Sequence, residues 1–156
     1  MEQQRLLHIT WQRLVDDSST TCPRCADTGE NLDAALDILQ PVLAQEGIHL
    51  LVEKKMILPL VFNQNPLDSN RIFIEGKPLE NWLNAETGKS QCCDACGDNE
   101  CRTLIYEGAA YEDVPVKLIM LGILRAAEAI FHVKLAQYAD DEDLFVDTSD
   151  TGRMLS

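Results

Sequence analysis

The sequence predicts an α/β domain in which a mixed β-sheet is flanked by helices. The first observation is the order of the predicted elements: a strand over residues 6–14, a helix over 31–45, a strand over 48–57 and a hairpin over 71–78. The second is a strongly apolar stretch over 114–138, which predicts a long C-terminal helix. Strands and helices in this order form a sheet with helices packed against it.

The chain has 156 residues, which suits one domain with a sizeable core. We assign residues 1–138 to this domain. Residues 139–156 begin with a run of acidic side chains and are expected to form a solvated, disordered tail. With 26 acidic and 13 basic residues, the net charge is −13. This charge argues against nucleic acid or an anionic membrane as the main partner, because both bind basic patches.

The N-terminal residues and the cysteine content indicate the compartment. The first residues lack the charged and then apolar layout of a signal peptide, and no apolar stretch reaches the length of a membrane-spanning helix. We therefore expect a cytoplasmic protein, in a compartment that keeps thiols reduced. Six cysteines in that setting indicate metal binding or redox chemistry more than a framework of structural disulfides.

The first predicted strand has one apolar face. Leu7, Ile9 and Trp11 share that face and should point into the core. His8 lies on the opposite face, where a lone histidine is expected to have a structural role rather than a catalytic one.

The first predicted helix, over residues 31–45, has leucines at helical spacing and Asn31 as its N-cap. Pro41 should kink it or locally break its hydrogen bonds, and Gly47 should end it. The elements after the second strand are, in order, a turn-rich loop over 63–70, a strand over 71–74, a turn over 75–78 and a short helix over 79–84.

The C-terminal helix is the longest that the sequence predicts. Asp113 is its expected N-cap, Pro115 lies in the tolerated first turn, and the helix should continue to Tyr138, a length of about 37 Å. Because this length exceeds the width of so small a domain, part of the helix should protrude. The helix is apolar around nearly its whole circumference, so either the core of the domain or a partner subunit must cover it, and we expect a homodimer or larger assembly. The residues of that expected interface are Ile119, Ile123, Leu124 and Ile130.

Two cysteines two residues apart lie between the first strand and the first helix. Cys22 and Cys25 enclose Pro23, which has no backbone N–H, and Arg24, whose cation stabilises a nearby thiolate. A Cys-x-x-Cys pair at this position of an intracellular chain indicates a thioredoxin-like redox site. The same spacing also fits a metal-binding turn, so the motif leaves both chemistries open.

A second cluster has four cysteines within ten residues: Cys92, Cys93, Cys96 and Cys101. Small and polar neighbours exclude regular structure over most of residues 92–102. The cluster is too dense for cysteines that only fill a hydrophobic core. We therefore expect an inserted cysteine-rich loop with a chemical role.

The segment Thr21-Cys22-Pro23-Arg24-Cys25 resembles the Thr-Cys-Pro-x-Cys redox motif of glutaredoxins, and residues 72–78 resemble the hairpin that follows their sheet. The fuller pattern, over residues 5–130, is similar to an uncharacterised thioredoxin-like family known as a domain of unknown function. It includes both cysteine clusters, Asn65-Pro66-Leu67 and Gly76-Lys77-Pro78-Leu79-Glu80. The resemblance implies a thioredoxin-like mixed sheet flanked by helices, with the cysteine-rich loop as an insertion, and no settled activity.

The same resemblance identifies two departures from working thioredoxins. Ser69-Asn70 stands where they have a cis-proline before the third strand, and Gly29 is expected to separate the cysteine pair from the helix. That separation would weaken the stabilisation of a thiolate by the helix N-terminus, which fades beyond the first turn, and would leave Arg24 as the nearby cation. Both departures favour a specialised or metal-binding site.

Three functional hypotheses follow. In a thiol–disulfide oxidoreductase that acts on a redox partner protein, Cys22 is the exposed nucleophile, Cys25 the resolving thiol, and Cys93 and Cys96 a second exchanging pair. In a protein that binds zinc, an iron–sulfur cluster or another thiophilic metal ion, the candidate ligands are Cys22, Cys25, Cys92, Cys93, Cys96 and Cys101. In an interaction module, the cysteines only brace loops. The relay, and a four-thiolate metal site of Cys22, Cys25, Cys93 and Cys96, predict that sulfurs of the two clusters lie within about 10 Å. A metal ion held on one loop by Cys92, Cys93, Cys96 and Cys101 does not require this distance.

Overall fold

A computed structural model describes residues 5–14, 23–57, 70–91 and 100–135, with the backbone alone at residues 14, 23–26, 91, 100 and 101. The described residues form seven strands and three helices. In chain order these are β1 (Arg5–Leu14), α1 (Pro23–Ala44), β2 (Ile48–Ile57), β3 (Arg71–Ile74), β4 (Lys77–Pro78), α2 (Leu79–Leu83), β5 (Glu86–Gln91), β6 (Glu100–Tyr106), β7 (Ala109–Tyr111) and α3 (Val116–Phe131). Residues 63–69 of the loop predicted over 63–70, and the tail predicted over 139–156, lie outside the described residues.

The main sheet has the strand order β2-β1-β3-β4. β1 and β2 are parallel and are joined by α1, whereas β3 is antiparallel to β1 and β4 is antiparallel to β3. A parallel pair needs a crossover connection, and α1 provides it. The mixed α/β architecture predicted from the sequence is therefore confirmed, and so are the predicted strands in the first half of the chain.

Three chain segments meet at the end of the sheet where β1 ends. Because α1 returns antiparallel to β1, the end of β1, the start of α1 and the start of β3 lie together. Arg13 is near the end of β1, Cys25 is the third residue of α1 and Arg71 is the first of β3. We call this end of the sheet the Cys25 end.

The hydrophobic core lies between the main sheet and the helices α1 and α3. Leu7, Ile9 and Trp11 of β1 are buried on one face, as predicted, while His8 is exposed on the other. α1 contributes a stripe of buried leucines at helical spacing, which fits its predicted amphipathic pattern. These leucines are Leu32, Leu36, Leu39 and Leu43.

The start of α1 differs from the prediction. The helix begins at Pro23 rather than at residue 31, so Gly29 does not interrupt it and Cys25 lies in its first turn. The physical reason is packing: a Cβ at Gly29 would come within 2.8 Å of Cζ3 of Trp11. Gly29 therefore lets the helix approach β1 closely, and the sequence pattern had been misread as a helix break.

The sequence also predicted roles for Asn31, Pro41 and Gly47 in or next to this helix. Asn31 is not an N-cap; it lies inside α1, and its Nδ2 donates to the carbonyl of Val114. The helix continues through the exposed Pro41 to Ala44, so Pro41 does not end it. Gly47 has φ +73 in the turn before β2, which agrees with its predicted position at the end of the helix.

The C-terminal helix is shorter than predicted. α3 begins after Pro115, which occupies the N-cap position in an extended conformation without a side-chain cap, so Asp113 is not the N-cap. It ends at Phe131, and His132 adopts a left-handed conformation with φ 58. Its 16 residues span about 24 Å. Leu135, the last described residue, is fully buried, so the expected extension to Tyr138 as a protruding helix is wrong up to that residue.

The apolar surface expected to form a dimer interface is mostly covered within the chain. Ile119, Ile123 and Leu124 are at most 1 % exposed. Ile130 is 37 % exposed. Sequence periodicity shows that a helix is apolar on several sides, but it does not show which neighbours cover them. The argument for a dimer through this surface therefore fails, because the chain itself buries these side chains.

A second sheet was not predicted. β5, β6 and β7 form an antiparallel three-stranded sheet after the first hairpin. β6 includes Cys101 and Arg102, so this end of the second cysteine cluster is a strand. Residues 92–99, which make up most of the run predicted to be irregular, lie outside the described residues. β5 has the sequence Glu-Thr-Gly-Lys-Ser-Gln, and this polar composition does not predict a strand. The strand is stabilised by its hydrogen-bonded ladder with β6.

Candidate functional site

The structure describes only part of the predicted cysteine sites. Cys25 lies in the first turn of α1 and Cys101 is the second residue of β6, in both cases as backbone. Cys22, which directly precedes α1 in the sequence, lies outside the described residues, and so do the remaining three: Cys92, Cys93 and Cys96. The predicted distance between sulfurs of the two clusters also lies outside them.

The beginning of α1 is held by the segment that leads into α3. The backbone N–H of Val114 donates to Oγ1 of Thr28 at 3.0 Å, and Thr28 is fully buried. The carbonyl of Val114 accepts from Nδ2 of Asn31 at 2.9 Å. Both backbone groups of Val114 are thus satisfied by side chains of α1, as buried polar groups require. Thr28 is one helical turn after Cys25, so this contact fixes the helix next to the cysteine motif.

The same segment also contacts the second sheet. The carbonyl of Glu112 accepts from Nδ2 of Asn70 at 3.2 Å, and Oε2 of Glu112 accepts from Oγ of Ser90 at 3.5 Å. Ser90 is paired with Cys101 in the β5–β6 ladder. Hydrogen bonds to Glu112 and Val114, two residues apart in one segment, therefore connect the start of α1 to the β5–β6 pair. We call this pair, together with the connection that contains Cys92, Cys93 and Cys96, the cysteine-rich hairpin.

Asn70 occupies the position before β3. It has φ 59, a left-handed conformation that asparagine tolerates better than most residues, and it is 3 % exposed. Its Oδ1 is buried and has no hydrogen-bond partner among the described residues. The described residues contain no cis peptide bond.

Two hydrogen-bond donors near the end of β1 are buried without an acceptor among the described residues. They are Nε1 of Trp11 and Nη1 of Arg13. The guanidinium carbon of Arg13 lies 4.8 Å from the centroid of the Trp11 ring, a distance typical of a cation–π contact. Lys54 also approaches this ring, at 6.0 Å, but its ammonium is paired with Asp33 at 3.3 Å.

A buried ion pair anchors the second sheet. Nη1 of Arg102 donates to Oε2 of Glu80 and, at 2.9 Å, to Oγ1 of Thr87. Arg102 follows Cys101 in β6, while Glu80 belongs to α2 and Thr87 to β5. A cavity of about 10 Å³ lies between Glu80, Arg102 and Asn70. The base of the cysteine-rich hairpin is thus fixed to α2 by a charge-assisted hydrogen bond.

An open groove of about 630 Å³ runs along the second sheet. It extends from Gly88 and Ser90 in β5 across Thr103 in β6 to Glu112 and Asp113. The groove therefore starts beside the cysteine-rich hairpin and ends at the segment that holds α1.

His8 has a structural contact. Its backbone N–H and its Nδ1 lie 2.6 and 2.9 Å from Oε2 of Glu75 in the β3–β4 turn. Partial burial opposes ionisation of Glu75, but the hydrogen bonds from the backbone and ring of His8 and its charge outweigh it and lower the pKa of this carboxyl below its ordinary value.

Among the residues that the structure describes, no three histidine, cysteine, aspartate or glutamate residues are grouped to hold a metal ion. Over the same ranges, no helix is both long enough and apolar enough to cross a membrane.

Sequence reasoning missed the contacts that hold α1 in place, which are those of Gly29 with Trp11 and of Thr28 and Asn31 with Val114. Motif spacing identifies residues that are close in the chain, whereas these contacts depend on how the helix packs. One signal was available, since a glycine inside an otherwise helical pattern usually has a packing reason.

Comparison with known proteins places this chain among relatives without an assigned activity. A family model described as "Domain of unknown function (DUF2703)" matches residues 7–123. A protein of Archaeoglobus fulgidus described as "Uncharacterized protein" is 37% identical over 113 residues, which cover 72% of this chain and 82% of that protein. No solved structure matches this chain.

Proposed function

Because this chain belongs to the family described as "Domain of unknown function (DUF2703)", we propose its function from its own residues: a thiol–disulfide oxidoreductase with Cys22 and Cys25 as the exchanging pair. One observation carries the proposal. α1 starts at Pro23, so Cys25 is in its first turn and Cys22 immediately precedes it in the sequence.

The start of a helix favours a thiolate. Its unpaired N–H groups and the aligned peptide dipoles create a partial positive charge, which acts over the first turn. Cysteines at helix N-termini and next to cations ionise more readily than free cysteine and react as thiolates. The sequence alone had indicated that Gly29 weakens this effect, and the uninterrupted α1 removes that objection.

The arrangement of the main sheet supports a thioredoxin-like fold. A parallel β1–β2 pair joined by a helix, followed by antiparallel β3 and β4, has the element order of the fold that the glutaredoxin-like motif implies. In that fold the cysteine pair follows the first strand, at the start of the crossover helix. Asn70 stands where thioredoxins have a cis-proline, so we propose a specialised member rather than a general reductase.

In the proposed reaction, the thiolate of Cys22 attacks a disulfide of a partner protein. A Cys22–partner disulfide forms, and the second partner sulfur leaves as a thiolate that takes up a proton. The thiolate of Cys25 then attacks the sulfur of Cys22. This step forms the Cys22–Cys25 disulfide and releases the partner as a dithiol. Two electrons pass from this chain to the partner, and a dithiol reductant restores the reduced pair.

We extend this proposal to the second cluster as a redox relay. The hydrogen bonds that join Val114 to Thr28, Glu112 to Ser90, and the Ser90–Cys101 pair in the ladder support placing both clusters at the Cys25 end. In the relay, Cys93 and Cys96 form the second exchanging pair. They pass two electrons to the Cys22–Cys25 disulfide and become a disulfide themselves.

A second candidate function is the binding of a thiophilic metal ion, for example zinc, by the hairpin alone. The specific observation is the register of β5 and β6, in which Gln91 is opposite Glu100 and Ser90 is opposite Cys101. This ladder holds together the two ends of the connection that contains Cys92, Cys93 and Cys96. Four thiolates are enough for a closed tetrahedral site.

Turnover of a protein disulfide, with dithiothreitol as reductant, tests the proposed oxidoreductase. We expect Cys22→Ser to abolish turnover and Cys25→Ser to accumulate a covalent Cys22–partner complex that mass spectrometry detects. Cys101→Ser is the matched control and should retain turnover through the first pair. Turnover by Cys22→Ser at the wild-type rate would refute the assignment. The metal content of anaerobically purified wild-type and Cys101→Ser protein tests the second candidate, which requires bound metal that the variant loses.

A further inference from the structure

Strand β2 is an edge of the main sheet. Within the described part of the chain its only strand partner is β1, and all ten of its residues are in register with that strand. The other side of an edge strand presents backbone N–H and C=O groups with which a further strand can pair. A proline or a bulge would protect such an edge, but β2 contains no proline and its register with β1 is continuous.

Exposed apolar side chains are concentrated at this edge. Of the five large apolar side chains that are exposed in the described residues, three belong to β2: Leu51, Val52 and Met56. Met56 is 59% exposed, the highest value of the five. A fourth, Leu6, is in the neighbouring β1. Apolar surface that is clustered on one element indicates an interaction site, whereas scattered single residues do not.

A second copy of β2 can pair with this edge in only a few registers. In an antiparallel pair related by a two-fold axis, opposite residues share one face of the sheet, so the axis passes a single residue that faces itself. An axis at Glu53 or at Lys55 would place like charges directly opposite each other, which is destabilising. An axis at Lys54 instead places Glu53 of each copy opposite Lys55 of the other, and Val52 opposite Met56.

The two Lys54 side chains that meet at this axis already have counterions. Nζ of Lys54 lies 3.3 Å from Oδ1 of Asp33 in α1 of the same chain, so two ion pairs meet there rather than two bare cations. An axis at Val52 would leave Glu53 opposite Leu51, without a cation. The axis at Lys54 is therefore the register in which this edge is complementary to itself, as a two-fold interface requires.

We propose that β2 is a homodimer interface at which two copies of this chain pair antiparallel through residues 52–56, with the two-fold axis at Lys54. The two main sheets then form one continuous sheet with the strand order β4-β3-β1-β2-β2-β1-β3-β4. This inference does not rest on the oxidoreductase function proposed above. Because β2 is parallel to β1 and the two copies are antiparallel, their Cys25 ends lie at opposite ends of the joined strands and do not meet.

Charge reversal with rescue tests this interface. Sedimentation velocity from about 1 μM to 1 mM measures the dissociation constant, and a reductant prevents disulfide links between chains. Glu53→Lys and Lys55→Glu each replace two attractive pairs with two repulsive ones, so each should raise this constant by about tenfold or more. The double variant, which exchanges the two charges, should return to within about threefold of the wild-type value. An equimolar mixture of the two single variants should form a heterodimer.

Glu86→Lys is the matched control, because it makes the same charge change at an exposed strand residue of the second sheet. It should leave the dissociation constant unchanged. Both glutamate variants reduce the net charge of −13, so dissociation caused by Glu53→Lys alone does not come from general repulsion between acidic chains. Circular dichroism checks the folding of each variant, and Lys55→Glu has the same expectation if Glu53→Lys does not fold.

Three results would overturn the proposal. A wild-type protein that stays monomeric up to about 1 mM would show that β2 does not pair with a second copy and would leave this edge to a strand of another protein. A dimer whose dissociation constant changes in neither single variant would show that the interface lies elsewhere. Failure of the double variant to restore the dimer would contradict the axis at Lys54.

Discussion

Arg102 of β6 and Glu80 of α2 form a buried ion pair. Nη1 of Arg102 lies 2.5 Å from Oε2 of Glu80, and each side chain is 9% exposed. The Thr87 hydroxyl, which is within 3.3 Å of the same carboxylate oxygen, completes the cluster. Because Arg102 follows Cys101 in β6, this pair determines how the base of the cysteine-rich hairpin is attached to α2.

Removing Glu80 should strongly destabilise the protein. Glu80→Ala leaves the Arg102 cation buried without its carboxylate, which typically costs about 3–5 kcal/mol. Urea unfolding followed by circular dichroism measures this loss. Glu86→Ala, which removes an exposed glutamate from β5, is the control and should change stability by less than about 0.5 kcal/mol. Equal stabilities of the two variants would show that the ion pair does not hold the second sheet.

Gly29→Ala should be destabilising, although alanine normally favours a helix over glycine by about 1 kcal/mol. The added Cβ would overlap the ring of Trp11, so we expect a net loss of about 1–3 kcal/mol. Thermal and urea unfolding both report this quantity. Glu30→Ala, at the exposed neighbouring position, should be close to neutral. A stabilised Gly29→Ala variant would contradict the packing of α1 on β1 described above.

A glutamate introduced at Ile123 or at Ile130 of α3 tests whether each position belongs to the core or to an interface between chains. Ile123 is fully buried, so Ile123→Glu should unfold the protein, because an unpaired carboxylate in the core costs several kcal/mol. Ile130 is 37 % exposed, and Ile130→Glu should remain folded. Circular dichroism and gel filtration of both variants provide the measurement. A folded Ile123→Glu protein of smaller assembly size than the wild type would restore the dimer interface predicted from the sequence.

The Glu75–His8 contact should make a small part of the stability depend on pH. The pKa of Glu75 is lower in the folded chain than its ordinary value, so its stabilising contribution is complete above that ordinary value. The contribution is lost as the pH falls through the lowered folded value. Glu75→Gln should therefore cost stability at pH 7, by less than about 1 kcal/mol for so exposed a pair, and less still at pH 3.

Carboxyl-carbon NMR titration of Glu75 gives an independent measurement. Its midpoint should lie below the reference of about 4.3 and should move upward when His8 is replaced by alanine. Glu53→Gln, at an exposed position of β2, serves as the control for the stability measurements. A pH-independent difference between the wild type and Glu75→Gln would contradict the contact.

The sequence was sufficient for elements with strong local signals. Alternation of Leu7, Ile9 and Trp11 identified β1 and its buried face, and the apolar run before Gly76 identified β3 and the turn after it. The cysteine motifs were evident from spacing, and membership in a domain-of-unknown-function family is confirmed. These features depend on neighbours in the chain, so periodicity and motif spacing are enough to find them.

The second sheet and the limits of α3 required information that local patterns lack. β5 is polar throughout, and its strand conformation comes from pairing with β6. The sequence pattern of α3 shows that several of its sides are apolar, but it does not show whether a partner or the chain itself covers them. The structure shows that Leu79 packs where Gly122 lacks a side chain, so part of this coverage is internal.

The sequence by itself determined the mixed α/β class, the first three strands of the main sheet and the two cysteine clusters as chemical candidates. Only the tertiary structure decided that α1 is continuous past Gly29, because the closeness of Gly29 to Trp11 depends on how a helix packs on a strand. It also decided which residues surround the start of that helix. Thr28, Asn70 and Val114 are far apart in sequence, and long-range hydrogen bonds and burial bring them together.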